Sequence, residues 1–505
     1  MYSVGIIGAG VTGISFFCQM AESASHLIND VRLFDKGEIL SSLGFDVRSP
    51  ELITNTSTGL NSLLPAADGD FLDWIRSSEE CAAFGVDGAA QTAAGFVPRA
   101  LFRNYARQRF ARFAGALRRR GANVEHVRHD VTGVRADGPR AELRFGEGGR
   151  WSCDILVVCT GAVSNNPFRD RLFRHPSYVS PVYPEAALEA GAREASHAVV
   201  VGSKQSAVDA AILIGAAAPN CRITMLSPSG ALPSVRTDTQ LYESEHFTAA
   251  RILARHRRSG SLLHAVERQY IADMRERYGS DIGWFARSLS RRAALDPRAA
   301  LLDDYADSRA GRNLWQYSIA NFAEQMNKVW PFMPARDRAR FLARNQRLMS
   351  RLVGAVPEAN AAKLLRLFES GRLAVRRLPG RIDARAAGGR ALRLDLGDRV
   401  EECDLLVNAS GIVSSMLVDN RPLADAIGTA AGARLVRENG SLNIGQSTFR
   451  VQGDARDPHE GPFIYMAGGI TKNNVFMANY IKACASHAQA IVANIHERLL
   501  GRAWV

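Results

Sequence analysis

Gly8, Gly10 and Gly13 stand in the spacing G-x-G-x-x-G, and an acid, Asp35, closes the next apolar stretch. Residues of these types at these intervals serve one kind of chemistry, holding the pyrophosphate of a dinucleotide. Gly8 makes a tight turn, Gly10 lets a phosphate approach the backbone, and Gly13 lets a helix pack closely on a strand. The phosphate charge rests on the amides and positive dipole end of that helix. An acid at Asp35 accepts the hydrogen bonds of an adenosine ribose, so the nucleotide carries a free ribose. Such glycines carry meaning only with the elements that position them. Here an apolar strand over 2–7, a helix opening at Ile14 and a second apolar strand over 31–34 surround the turn. That context favours dinucleotide binding over a tight turn in an ordinary α/β protein.

The same order returns at 197–226: an apolar strand, the turn Gly202-Ser203-Lys204-Gln205-Ser206-Ala207, a helix through Ile214, and a strand over 222–226. A second βαβ unit implies a second dinucleotide domain. Only its first glycine is kept. Lys204 stands where the second is expected and Ala207 replaces the third, and a lysine there either pairs with a phosphate or obstructs it. The strand after this turn ends in Leu226-Ser227-Pro228-Ser229 without an acid. With Arg236 nearby, that leans toward NADPH over NADH, the alternative being that Arg236 is one more surface arginine.

At 505 residues the chain can bury two or three cores, since domains run to roughly 100–200 residues. Its 46% hydrophobic and 23% charged residues are globular in balance. The net charge of +12 and pI near 9.6 come almost wholly from arginine. Those arginines lie in helical stretches such as 106–120 and 287–295 without interleaved aromatics, so solvated helix faces are expected rather than a nucleic-acid partner. The seven cysteines are scattered, with no CxxC pair, and no apolar run suffices to span a bilayer. With the first strand starting at residue 2, these features set the expectation of a reduced, cytoplasmic protein without membrane attachment. A homo-oligomer is compatible with the sequence.

Along the chain, residues 37–65 form a long polar loop of the kind that is usually functional. A short helix at 71–75 and a long one over 100–119, ended by Gly121, follow. Alternation at 124–127, 131–135 and 141–145 predicts a three-stranded meander, and Cys153-Asp154-Ile155-Leu156-Val157-Val158-Cys159-Thr160-Gly161 a buried parallel strand. The proline-rich stretch to residue 184 reads as a linker. From 237 to 373 the pattern is helical, with aromatics at Trp284, Phe285, Trp315, Tyr317, Trp330 and Phe332. Residues 403–411 then echo 153–161, which suggests that the first domain resumes. The expected layout is a first domain over 1–165, a second over 166–236, a helical insertion over 237–373, and the rest of the first domain over 374–505. The fold class is α/β, with two Rossmann-like domains and a helical insertion.

GIIGAGVTG with its later Asp35, CDILVVCTG, AVVVGSKQSA and FIYMAGGITKNN together make the sequence resemble the two-dinucleotide-domain FAD/NAD(P)-binding flavoproteins. Within them it is most similar to a group related to the flavin-dependent N-hydroxylating monooxygenases. The resemblance implies FAD in the first domain and NADPH in the second. It places Gly8, Gly10 and Gly13 at the FAD pyrophosphate, Asp35 with its neighbour Lys36 at the adenosine end, and Val131 near the adenine. Thr160 and Gly161 form the crossing between domains, and Gly468 lies beside the flavin. The Gln205-Ser206-Ala207 run resembles the GxGQSA of the N-hydroxylating enzymes, which assigns Gly202, Lys204, Gln205 and Ser206 to NADPH. Disulfide reductases of this layout carry an Asp after the final glycine pair. This chain has Ile470-Thr471 and no CxxC, which argues against that subfamily.

No side chain announces acid–base catalysis, and none is assigned as catalytic. His126, His129 and Asp130 lack a clustered third ligand, so no metal is expected. In a flavin monooxygenase the cofactor supplies the difficult step while the protein excludes water and presents the substrate. The leading expectation is an FAD- and NAD(P)H-dependent monooxygenase. It would use O2 on a small molecule, an amine or amino-acid-like nitrogen of secondary metabolism. Arg48, Asn55 and Thr56 in the long loop and Lys472 and Asn473 near the last glycine turn are candidates for the substrate, Asn55, Thr56 and Asn473 also for the cofactor, the alternative for each being loop capping or surface charge. Trp315, Tyr317 and Trp330 read as core rather than as a substrate cage. Two alternatives stand: an FAD oxidase or dehydrogenase without nicotinamide, marked by Lys204, and a non-enzymatic basic scaffold that holds FAD and binds nucleic acid.

Overall fold

The computed structural model describes residues 1–237, 244–279, 291–313, 315–378, 380–413, 420–433, 435–436, 441–453, 462–471 and 474–502. Trp284, Phe285, Lys472 and Asn473 lie outside them.

The first sheet has five parallel strands in the order Phe463–Met466, Ile155–Val158, Tyr2–Ile7, Ile28–Phe34, Asn123–Val127. Its central strands are continuous apolar runs because both faces are covered. Helix Val11–Ser23 is buried from Val11 to Ala21 and packs against helices Arg99–Arg119 and Ile481–Arg502. A helix buried on every side must satisfy its own polar groups. Ser15 Oγ donates to Leu63 O at 2.6 Å, while Gln19 Nε2 donates to Leu63 O at 3.2 Å and Ala485 O at 3.1 Å. These bonds fasten the glycine-turn helix to both the long loop and the last helix.

The meander differs from its expected form. Asn123–Val127 joins the parallel sheet, and the antiparallel strands are Val131–Asp137, Arg140–Phe145 and Gly149–Cys153. The third strand was hidden because Cys153 runs directly into the next apolar run. The turn that precedes it is carried by Gly146 and Gly148, with φ of 53° and 96°.

The second sheet repeats the parallel architecture in the order Leu373–Arg377, Arg222–Ser227, His197–Val201, Leu405–Asn408, Tyr178–Val179. This overturns the expected return to the first domain at 374. The echo of 153–161 at 403–411 is a duplication: Leu405–Asn408 pairs with His197–Val201 as Ile155–Val158 pairs with Tyr2–Ile7. A second antiparallel meander, Asp383–Gly388, Ala391–Asp395 and Val400–Cys403, completes the copy. The chain rejoins the first domain later, where helix Arg421–Ala430 packs on Val131–Asp137 and Phe463–Met466 enters the first sheet. The two crossings lie side by side, Val163 pairing with Val413 and Ser164 with Ile412.

Between the second domain's strands, helices Ala249–Ser259, Leu262–Tyr278, Trp315–Val329 and Ala335–Leu352 enclose their own core of Phe247, Phe322, Met326, Trp330 and Phe341. Trp315 is buried in a smaller cluster beside it. Helix Glu358–Glu369 falls within the expected insertion but packs on Gln205–Ala217 and leads into Leu373–Arg377. It is the second domain's crossover helix, so the insertion ends before it.

Candidate active site

Each glycine of the first turn has a separate physical reason to be glycine. Gly8 has φ of 103°, and a Cβ there would lie 2.3 Å from Cys159 O. A Cβ on Gly13 would lie 2.0 Å from Gly8 O. Gly10 is different: a Cβ would meet nothing closer than Ser42 Cβ at 3.4 Å. Protein packing does not exclude a side chain there, and the open side faces a cavity. Gly10 also caps helix Val11–Ser23 with no side-chain bond and no acid in the first turn. The helix amides are free for an anion. Asp35 Oδ2 accepts the Ala9 N–H at 2.8 Å and Oδ1 the Gly37 N–H at 2.9 Å. Each oxygen keeps lone-pair capacity for a ribose hydroxyl, so the residues present fit an adenosine pyrophosphate.

The second turn reproduces the first at its first glycine. Gly202 has φ of 133°, and a Cβ there would lie 2.3 Å from Ala409 O. Its N–H donates to Leu226 O at 2.7 Å, as the Gly8 N–H does to Phe34 O at 2.8 Å. Lys204 caps helix Gln205–Ala217, and its Nζ donates to Ser350 Oγ at 3.1 Å, drawing the side chain toward helix Ala335–Leu352. Gln205 and Ser206 face the cavity; Lys204 is not among its lining residues.

That cavity, about 1370 Å³, is shared by both turns. This exceeds the roughly 300–1000 Å³ of a site for one drug-sized ligand. Gly8, Gly10, Asp35, Lys36, Asn55, Thr56, Val131, Thr160 and Gly161 line it from the first domain, Gln205 and Ser206 from the second. Gly13, Gly202 and Gly468 shape the walls without lining them; a Cβ on Gly468, whose φ is 77°, would lie 2.4 Å from Thr12 Oγ1. Arg48 does not reach the cavity. Its side chain is exposed and its backbone N–H donates to Glu185 Oε1 at 2.6 Å, which corrects the expected substrate contact. Lys472 and Asn473 fall outside the described residues. Among the described residues no group of His, Cys, Asp and Glu could hold a metal, and no helix is long and apolar enough to cross a membrane. All seven cysteines are free and buried.

Three charged groups stand in the wall, of which the sequence singles out only Arg236, as a neighbour of the second turn. Arg99, at the start of helix Arg99–Arg119, pairs with Asp209 on helix Gln205–Ala217, and both bond the Tyr183 hydroxyl. Burial alone would lower the Arg99 pKa, but Asp209 and Tyr183 outweigh it and hold the guanidinium charged. Arg236 is buried beside Asn55, and burial pushes its pKa down to about 10. Glu324, on helix Trp315–Val329, bonds Lys328 at 2.9 Å and Lys482 at 3.5 Å, which overcome its desolvation and keep it ionised. The Glu324–Lys328 spacing is a surface-helix pattern in sequence, so nothing in it announces a cavity wall. Residues 477–482, which precede or open the last helix, complete the enclosure. Tyr317 lies on the same helix as Glu324.

Comparisons with known proteins agree with this architecture. Residues 5–163 match the family model described as FAD-NAD(P)-binding. No curated protein sequence matches the chain. Among solved structures, L-lysine 6-monooxygenase of Pseudomonas syringae superposes with a TM-score of 0.61 at 13% identity, covering 98% of this chain and 99% of that one. Ornithine hydroxylase of Pseudomonas aeruginosa gives 0.59 at 15% identity, with 99% of both chains covered. The ornithine N-hydroxylase of Kutzneria sp. 744, solved with reduced FAD, NADP+ and L-ornithine, gives 0.55 at 17% identity, again over 99% of both. The chain therefore has the fold of these solved structures, with the family match confined to residues 5–163.

Proposed function

We propose that the protein is an NADPH-dependent FAD monooxygenase that oxygenates a nitrogen of a small amine or amino-acid-like substrate. The observation that carries this reading is the shared cavity. Gly10 and Asp35 of the first turn and Gln205 and Ser206 of the second line one continuous space. A nicotinamide and a flavin held there would meet. Full-length similarity in fold to lysine and ornithine N-hydroxylating enzymes supports the reaction type.

Bound FAD supplies the redox chemistry, accepting reducing equivalents from NADPH and activating O2. The chain's own residues bind and enclose. The amides behind Gly10 hold a pyrophosphate and Asp35 holds a ribose, with Lys36 and Val131 lining the adenosine side. Thr160 and Gly161 sit at the domain crossing, and Asn55 and Thr56 present the long loop to the flavin. Gln205 and Ser206 receive the second dinucleotide, with Gly202 shaping the turn. Arg99 and Asp209 fix one domain against the other, and helix Trp315–Val329 with residues 477–482 shuts out water.

The test is product analysis. FAD-loaded protein is incubated with NADPH, O2 and a panel of amines including lysine and ornithine. Mass spectrometry that finds one oxygen added to a nitrogen, with NADPH consumed in step, supports the reading. Oxidation of an amine without added oxygen and without NADPH consumption would replace it with an oxidase.

A further inference from the structure

Two buried arginines line the cavity, and among the described residues only one of them has a carboxylate partner. Arg99 has Asp209. Arg236, 6% exposed, has no carboxylate partner among the described residues. It is nonetheless held firmly. Strand Val235–Arg236 pairs with Val356–Pro357, Nη1 donates to Asn55 O at 2.8 Å, and Nη2 donates to Val353 O at 2.8 Å. Its tethers thus come from the long loop of the first domain and from the segment after helix Ala335–Leu352. Each Nη keeps a second N–H, and Nε is buried with no hydrogen-bond partner among the described residues.

A guanidinium fixed by two neutral carbonyls keeps its full charge in a place where water cannot easily solvate it. Burying a charge without a counter-charge is costly, and binding an anion recovers that cost. Where Arg236 lines the cavity, the N–H groups that the two carbonyls leave unused offer charge-assisted hydrogen bonds, which are stronger than neutral ones. Asn55, which lines the same cavity and whose Oδ1 has no partner among the described residues, offers an acceptor on the loop that holds Arg236. Together they suit a ligand that carries an anionic oxygen and a neighbouring N–H or O–H donor.

We propose that Arg236 seats an anionic oxygen of a bound ligand. The proposal rests on the proposed function for its two sources, a carboxylate of the substrate or a phosphate of the nicotinamide nucleotide. If the carboxylate is the source, the substrate class narrows to acids that also bear the reacting nitrogen.

The experiment compares binding by calorimetry to FAD-loaded wild type, Arg236→Gln and Arg236→Lys, with benzoate as the carboxylate probe and NADP+ as the phosphate probe. FAD content and melting temperature check each variant's folding. The expected result is that one probe binds Arg236→Gln at least about tenfold more weakly, with affinity partly restored in Arg236→Lys. Loss of benzoate assigns the carboxylate, and loss of NADP+ assigns the phosphate. The proposal is overturned if both probes bind Arg236→Gln as they bind wild type, or if wild type binds neither. Should Arg236→Gln not fold, wild-type crystals soaked in bromide decide whether an anion is seated there, because the ion must then sit against the Arg236 guanidinium, and its absence overturns the proposal. Failure of the proposed function is seen separately, as flavin that NADPH does not reduce, and leaves these binding readouts intact.

Discussion

Ser227 stands in the second domain where Asp35 stands in the first. The residue before each, Leu226 and Phe34, accepts the N–H of the first glycine of its turn, Gly202 at 2.7 Å and Gly8 at 2.8 Å. Each also takes a hydrogen bond from the residue after that glycine: Ala9 N–H reaches Asp35 Oδ2 at 2.8 Å, and Ser203 Oγ reaches Ser227 Oγ at 2.7 Å. One site presents a carboxylate to a ribose and the other presents a hydroxyl. A carboxylate repels a 2′-phosphate and a hydroxyl admits one.

Ser227→Asp should therefore turn the second site against NADPH. The ratio of kcat/KM for NADPH to that for NADH is expected to fall by at least about tenfold, the scale of one misplaced charge beside a phosphate, while FAD content stays that of wild type. An unchanged ratio would place the nicotinamide nucleotide somewhere other than this strand end.

Gly10 and Gly13 should separate binding from folding. Gly10→Ala adds a methyl that meets only Ser42 Cβ at 3.4 Å, so the protein should melt near the wild-type temperature but be purified with much less FAD. Gly13→Ala puts a methyl 2.0 Å from Gly8 O, and the strand–helix contact must shift; a loss of several kcal/mol, above about 3, is expected in urea unfolding. Equal effects at the two positions would remove the ligand-based explanation for Gly10.

The Arg99–Asp209 pair should behave as a coupled buried unit across the domain boundary. Arg99→Met or Asp209→Leu alone leaves a buried charge unpaired and should cost about 3–5 kcal/mol. The double variant should cost clearly less than the two losses added, as read from a double-mutant cycle in urea. Simple additivity would mean that the two side chains are not joined in solution.

His487 should make the protein sensitive to mild acid. It is 4% exposed, its ring lies 4.3 Å from that of Phe449, and burial pushes its pKa down to about 4 from 6.5. The unfolded chain then binds the proton more readily than the folded one. Stability is complete above about pH 6.5, falls as pH drops toward about 4, and levels off below, with about 2 kcal/mol lost by pH 5. His487→Gln should remove that part of the difference between urea curves at pH 7 and pH 5. A histidine contribution that grew at lower pH would have the wrong sign.

Much of this was legible in the sequence because glycine turns and apolar strands report local backbone demands directly. Gly8, Gly13 and Gly202 are glycines for reasons of contact that the motif already encodes. The duplicated strand at 403–411 was visible too, but its ownership was not. Two sheets built from near-identical runs differ only in which neighbour they pair with, and pairing is a long-range property. Cys153 concealed a strand end for a related reason, since Asp154 breaks the ladder by bonding Ser3 rather than by any turn signal. The wall residues were hidden most completely. Arg99 and Glu324 carry no motif until folding places them in the cavity wall, and only the fold shows that Arg236, expected near the nicotinamide nucleotide or at the surface, is buried there.

The most direct test of the account is anaerobic reduction of the FAD-loaded protein by NADPH, with flavin absorbance followed and air then admitted. The account predicts that NADPH bleaches the flavin faster than NADH does, and that air restores the colour. Flavin that stays oxidised with both nucleotides, even with amines present, would contradict it, because the second glycine turn would then deliver no reducing nucleotide to the shared cavity.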